Sequence, residues 1–216
     1  MIMNKFDRDL GVLLTRLNKD ADMETKEKLS MLKDRLIHLN EENIVKINHS
    51  VMELVCAKHL ILKGYEVDVE RPLEGGLTCD LYGVKGYGVL VVEVETGFVP
   101  PNHALDPATY CKARIASKIT RYSNHSDKFA LGVPPYYILQ IPPALTKPPR
   151  GRKSEELREV KSRCDLYYKN PPVSLDEIRN ARLHTIYITD VDGVTVREVD
   201  PSTYVENKVR FGYHVT

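Results

Sequence analysis

Apolar residues recur along the chain with two distinct periods, and the changes from one period to the other divide it into elements. Phe6, Leu10, Leu13, Leu14 and Leu17 keep helical spacing. After the polar stretch Asn18 to Asp22, Leu29, Leu32, Leu36 and Leu39 keep it again, which predicts two amphipathic helices forming a hairpin within residues 1–40. A longer helix carrying His49 and Glu53 closes at Lys63-Gly64. The pattern then shortens to strands at Tyr65–Val69, Leu77–Val84 and Gly88–Glu95, the last two joined by the glycine-rich link Lys85-Gly86-Tyr87-Gly88, which suits a hairpin. Beyond the proline-broken loop Phe98–Pro101, a basic helix is expected near Pro107 to Tyr122, followed by a strand over Tyr136–Ile141. Ser154 reads as the N-cap of a further helix, and Ser174-Leu175-Asp176-Glu177 as a capping box opening a short helix to about Arg182. Thr185–Thr189 and Val194–Arg197 form a terminal hairpin that could extend the sheet.

Three carboxylates interrupt strands that otherwise read as buried. At a side-chain period of two, Val91, Glu93 and Glu95 share one face of their strand, and Thr78, Asp80 and Tyr82 share one face of the strand before it, opposite Leu77, Cys79 and Leu81. A buried carboxylate costs on the order of several kcal/mol unless it is paired, neutralised or bound to a cation. Hard cations such as Mg²⁺ take oxygen ligands, and Asp80 and Glu93 on adjacent antiparallel strands would supply them. The alternative is a pair of strand-end acids facing solvent or a lysine.

The order helix with Glu53, strand, Asp80 strand, Glu93-Val94-Glu95 strand, helix, strand resembles the core of the PD-(D/E)XK nuclease superfamily. Within that group the chain is most similar to archaeal Holliday junction resolvases and other small restriction-endonuclease-like nucleases. The resemblance spans roughly residues 41–141. It implies an α/β fold with an αβββαβ core and a mixed central sheet flanked by helices. Residues 41–216 would then form one nuclease domain, the N-terminal helices being an extension and residues 154–200 supplying further helices and the hairpin. Asp80 matches the family's metal-binding Asp, Glu93 the acid that opens its E-x-K motif, and Glu53 a helical Glu that helps hold the metal. Cys79 stands where the family name has Pro. Glu95 stands where the family usually has its catalytic Lys, although some members resemble this chain in having E-x-E and others carry the Lys on the following helix, where Lys118 is the candidate.

The implied activity is metal-dependent hydrolysis of phosphodiester bonds in DNA, with Mg²⁺ or Mn²⁺ held by Asp80, Glu93 and the Val94 carbonyl. Glu95 would act as general base or as ligand of a second metal, or Lys118 would stabilise charge on the phosphate. The family often works as homodimers. With Glu95 in the lysine position, a nuclease-fold subunit that binds DNA or assembles without cutting is the alternative.

Composition limits these expectations. With 216 residues, 42% of them hydrophobic, the chain suffices for one domain and a helical extension. It has no apolar run near the roughly 20 residues of a membrane span and no signal-peptide pattern, which predicts a cytoplasmic protein with no membrane partner. Cys56, Cys79, Cys111 and Cys164 have no C-x-x-C spacing and read as reduced core residues. A net charge of +1 offers no global attraction to a polyanion, so DNA contacts must come from local clusters. Two exist: the helix face with Lys112, Arg114, Lys118 and Arg121, and the loop carrying Lys147, Arg150, Arg152 and Lys153. Either could equally be a solvated face. His49 is expected to hydrogen-bond Glu53 within its helix rather than bind metal, and Tyr122 to pack. The phosphate-loop, dinucleotide-binding and G-x-S-x-G motifs are absent, which predicts no nucleotide cofactor.

Overall fold

A computed structural model of the chain describes residues 4–210, with side chains through residue 207. Helix α1 (Lys5–Leu17) starts where the Asn4 side chain accepts the Asp7 N–H at 2.8 Å, and α2 (Met23–Glu41) where Asp22 accepts the Thr25 N–H at 2.8 Å. These caps satisfy donors that the first helical turn leaves without partners. Each helix buries one stripe, Phe6, Leu10, Leu13 and Leu17 on α1 and Leu29, Leu32 and Leu36 on α2, against α3 (Ile47–Leu62). At about 2 kcal/mol for each fully buried side chain, these contacts contribute on the order of 10 kcal/mol before chain entropy is subtracted. Helix α3 is consequently enclosed on most of its circumference, from Ser50 to Ile61. That is why its middle, residues 51–57, is apolar nearly all round, with Glu53 as the exception.

One mixed sheet of six strands follows, in spatial order β1 (Glu66–Pro72), β2 (Thr78–Lys85), β3 (Gly88–Val94), β4 (Lys128–Val133), β5 (Thr185–Asp190) and β6 (Thr195–Val199). β1, β2 and β3 pair antiparallel, β3, β4 and β5 parallel, and β5 with β6 antiparallel. Lys85 faces Gly88 across the two-residue turn Gly86-Tyr87, where Gly86 takes φ +60°. Helix α4 (Pro107–Tyr122) carries the chain from β3 to β4. The longer passage to β5 contains α5 (Pro143–Thr146), α6 (Ser154–Tyr167) and α7 (Leu175–Asn180), and α8 (Pro201–Arg210) follows β6. The α1–α3 layer covers one face of the sheet, and α4, α6 and α7 cover the other. No helix among the described residues is long and apolar enough to cross a membrane. The four cysteines are free and buried.

The chain departs from its sequence pattern at three places that position the site. Residues Tyr136–Ile141 do not form a strand; the place beside β3 is taken by β4, eight residues earlier. Pro134-Pro135 ends β4 because proline offers no N–H to the ladder, and Pro142-Pro143 closes the other end of the segment. Leu139 and Ile141 are still buried, so their apolar character reflects packing rather than pairing. In β2, Cys79 packs in the α4-side core and Leu81 in the α3-side core, so strict alternation slips at Asp80. Lys153, not Ser154, holds the N-cap position of α6, its N–H donating to Glu156 at 2.9 Å.

Candidate metal and phosphodiester site

Asp80 and Glu93 lie where β2 and β3 stop exchanging backbone hydrogen bonds. The ladder runs from Lys85↔Gly88 to Leu81↔Val92. Beyond it the Asp80 N–H donates to the Glu93 carboxylate at 3.1 Å, and the Val94 N–H donates to the Asp80 carboxylate. Side-chain oxygens thus replace main-chain carbonyls as acceptors, the strands splay, and Asp80 is left able to reach both faces of the sheet. On the far edge of β3, Glu93 remains in register with Leu131 of β4 and the Glu95 N–H bonds to the Gly132 carbonyl at 2.8 Å, which fixes both glutamates.

On the α4 side the acids meet two cations. Lys118 Nζ lies 3.1 Å from Glu93 Oε2, 3.1 Å from Glu95 Oε1, 3.8 Å from Asp80 Oδ2 and 3.0 Å from the Val94 carbonyl. Burial alone would depress the lysine's pKa, but Glu93, Glu95 and Asp80 outweigh it and hold the ammonium charged well above its ordinary range. Arg114, one turn earlier on α4, places Nη2 3.0 Å from Glu95 Oε2 and donates to the Phe98 carbonyl. Glu93 is nonetheless raised well above an ordinary carboxylate, first by burial and then by Asp80.

On the α3 side no ion pair reaches Glu53. It is fully buried, no amide, hydroxyl or cation of the protein donates to its carboxylate oxygens, and only the Glu70 carboxyl lies within hydrogen-bonding reach, so the expected His49–Glu53 bond does not form. One ligand atom each from His49, Glu53 and Asp80 lies within 4.8 Å of the others. Burial first, then Asp80, Glu70 and Glu93, holds Glu53 well above the usual carboxylate range. Burial also lowers His49, against the pull of Asp80. Glu70 completes this side. It extends one residue past the strand expected from the pattern, at φ +47°, between the pairs Val69↔Leu81 and Arg71↔Cys79 that set it beside Asp80. Its backbone carbonyl accepts from Arg35 at 3.1 Å, and burial followed by Asp80 pushes its carboxyl up to about 7. Glu66, Asp68 and Glu70 alternate like an exposed edge, so nothing in the pattern marks Glu70 as different; only its positive φ, uncommon for a residue with a Cβ, does.

The proposed DNA-contacting residues divide. Arg114 and Lys118 point into the site. Arg121 donates to the Pro171 carbonyl and lies over the Tyr168 ring at 5.7 Å. Arg152 is buried and is not available to a nucleic acid: its guanidinium donates to the carbonyls of Lys147, Ile178, Arg179 and Ala181 at 2.6–3.1 Å, tying the loop to α7. Lys147 pairs with Glu156, Arg150 and Lys153 are exposed, and Lys112 is half-buried on α4. Tyr122 donates to the Thr78 carbonyl at 3.0 Å.

The residues fit a divalent cation by their own electrostatics. Five carboxylates, of Glu53, Glu70, Asp80, Glu93 and Glu95, cluster here; among the described residues Lys118 and Arg114 face the α4-side acids and Arg35 acts on Glu70, whereas Glu53 meets no cation and has only the Glu70 carboxyl beside its oxygens. No family model, curated protein or solved structure matches the chain.

Proposed function

We propose that the protein is a divalent-metal-dependent hydrolase of phosphodiester bonds in DNA, with a restriction-endonuclease-like core in which α3, β1, β2, β3, α4 and β4 are the αβββαβ elements. The observation that carries this is the meeting of Asp80, Glu93, Glu95 and Lys118, from two splayed strands and the helix after them, beside the unpartnered Glu53. Asp80, with Glu53 and Glu93 on either side, would hold Mg²⁺ or Mn²⁺. Bound there, the cation supplies a Lewis acid for the phosphoryl oxygens and a nucleophile at neutral pH.

Lys118 has three N–H donors, and Glu93, Glu95 and the Val94 carbonyl lie within reach of all three. It is therefore a positioning residue that fixes the two glutamates. Glu95 faces Lys118 and Arg114 on its two oxygens and is poorly placed to accept a proton from water. Glu70, half-buried and pushed up to about 7, suits that role at neutral pH. A cleft of about 520 Å³, lined in part by Asn48, Thr96, Phe98 and Tyr136, adjoins the site through the neighbours of His49 and Glu95 and offers a path for the strand. Arg150, Lys153 and Lys112 would contact phosphates away from the reacting bond. The exposed Val12, Met23 and Met31 on α1–α2 suit a two-fold contact in a homodimer, which light scattering would detect.

The test is cleavage of labelled single-stranded, duplex, flapped and four-way-junction DNAs with Mg²⁺, Mn²⁺ or EDTA, comparing wild type with Asp80→Ala and Glu93→Ala. Metal-dependent cutting lost in both variants supports the proposal. The engagement of all three Lys118 donors within the protein favours the second reading, a DNA-binding or assembly subunit that does not cut; retained DNA binding without cleavage would support it.

A further inference from the structure

We infer that the divalent cation sits on the α3 side of Asp80, ligated by His49, Glu53 and Asp80, while the protein's own Lys118 ammonium fills the place between Asp80, Glu93 and the Val94 carbonyl. The inference rests on the metal dependence proposed above and deepens it by naming which of two places takes the ion and which ions it takes.

Two cation positions share Asp80. In the first, Lys118 Nζ is within 3.1 Å of Glu93, Glu95 and the Val94 carbonyl, so the oxygens that could face a metal already face a charged donor. In the second, Glu53 has 0% exposure and two oxygens to which no amide, hydroxyl or cation donates, with only the carboxyl of Glu70 beside them. A buried acceptor left in this state signals a ligand that the protein atoms do not provide. His49 precedes Glu53 by four residues, so both side chains leave the same face of α3, and their ligand atoms lie within 4.8 Å of each other and of Asp80. Donors around an octahedral ion at about 2.1 Å stand roughly 3 to 4.2 Å apart, so a modest side-chain rotation closes the set.

The donor chemistry then selects the ion. Two carboxylates alone would suit Mg²⁺ or Ca²⁺, but an imidazole nitrogen shifts preference towards first-row transition metals, with Mn²⁺ the hardest of them. Asp80 would stand between an exchangeable inorganic cation and a fixed organic one. The geometry of a two-cation phosphodiester site would then be reached with a single metal.

The test uses the full chain without DNA: calorimetric titration with Mn²⁺ and with Mg²⁺, and pulsed electron paramagnetic resonance of the Mn²⁺ complex. The expected result is one Mn²⁺ per chain, bound at least about tenfold more tightly than Mg²⁺, with nitrogen modulation from one imidazole. His49→Ala should abolish the modulation and weaken binding by at least about tenfold, and the isosteric Glu53→Gln should weaken it similarly with the melting transition intact. Glu93→Gln should keep the nitrogen modulation, since it removes no imidazole from the site. Binding insensitive to His49→Ala and Glu53→Gln but abolished by Glu93→Gln would place the ion on the Lys118 side and overturn the inference, as would the absence of stoichiometric binding. A chain that binds Mn²⁺ as described but cuts no DNA keeps this site and loses the nuclease proposal.

Discussion

Glu53→Gln exchanges one carboxyl oxygen for an amide at nearly constant volume, in a place where only the Glu70 carboxyl neighbours the oxygens and burial, Asp80, Glu70 and Glu93 all oppose a charge. The folded chain keeps a proton on Glu53 that the unfolded chain releases above its ordinary value of 4.5. Because the folded-state affinity for the proton is raised, the stabilisation is fully present below about 4.5 and is lost as pH rises towards the folded pKa. Each pH unit above about 4.5 through which the fold retains that proton lowers the unfolding free energy by about 1.4 kcal/mol, a loss that the variant does not share. The amide's own unsatisfied groups cost roughly 1–3 kcal/mol, but that cost does not change with pH. Urea unfolding followed by circular dichroism at pH 5, 6, 7 and 8 in EDTA separates the two. The gap between variant and wild type should move in the variant's favour as pH rises. With Mn²⁺ at about a hundred times its dissociation constant, wild type should gain about 2.7 kcal/mol and the variant less. Parallel stability profiles across this range would refute the assignment of Glu53 as an uncompensated buried acid.

Arg152→Ala should cost at least about 1–3 kcal/mol of stability by stranding the buried carbonyls of Ile178 and Ala181 and freeing those of Lys147 and Arg179, while leaving the salt dependence of DNA binding unchanged; Arg150→Ala and Lys153→Ala should each reduce that salt slope by about 1 with little effect on stability. In Gly97→Ala the new Cβ would stand 2.5 Å from the Tyr137 ring at a backbone φ of +83°, so a destabilisation of about 1–3 kcal/mol is expected in thermal melts, with the Arg114 contact to Phe98 disturbed. Lys118→Met leaves Glu93 and Glu95 without their ammonium and should cost about 3–5 kcal/mol in EDTA. Calorimetry should then find a second Mn²⁺ entering the vacated place; a stoichiometry fixed at one would count against the two-position picture.

Much of the α4 half of the site was legible before any coordinates, because period-two alternation in β3 turns Glu93 and Glu95 to one face, and helical spacing groups Arg114 with Lys118. On the α3 side the resemblance points to Glu53, but the pattern does not mark His49 or Glu70 as its companions. His49 and Glu53 at i, i+4 look the same whether they bond each other or a third party, and only the enclosure of α3 by α1 and α2 decides that Glu53 has no solvent to turn to. Glu70 and the phase slip at Asp80 are backbone irregularities, and side-chain alternation carries no record of them. Tyr136–Ile141 has the apolar content of a strand, but the flanking proline pairs bar it from the ladder, and Lys128–Val133 takes the place beside β3. Arg152 looks like a surface charge in the sequence because its partners are backbone carbonyls, of Lys147 in its own loop and of Ile178, Arg179 and Ala181 well downstream, and carbonyls carry no side-chain signature.

The sheet is laid down in the order in which its strands leave the ribosome: each of β2 to β6 adds beside its predecessor, and none has to be inserted between strands already paired. Every residue of the candidate site lies between His49 and Lys118, so the whole cluster emerges during synthesis before the connection to β5 and β6 exists. A nascent chain at that stage exposes the edge of β3 that β4 later covers, with several acids beside it. An early-bound cation would act as a template there, neutralising the acids while the remaining strands arrive.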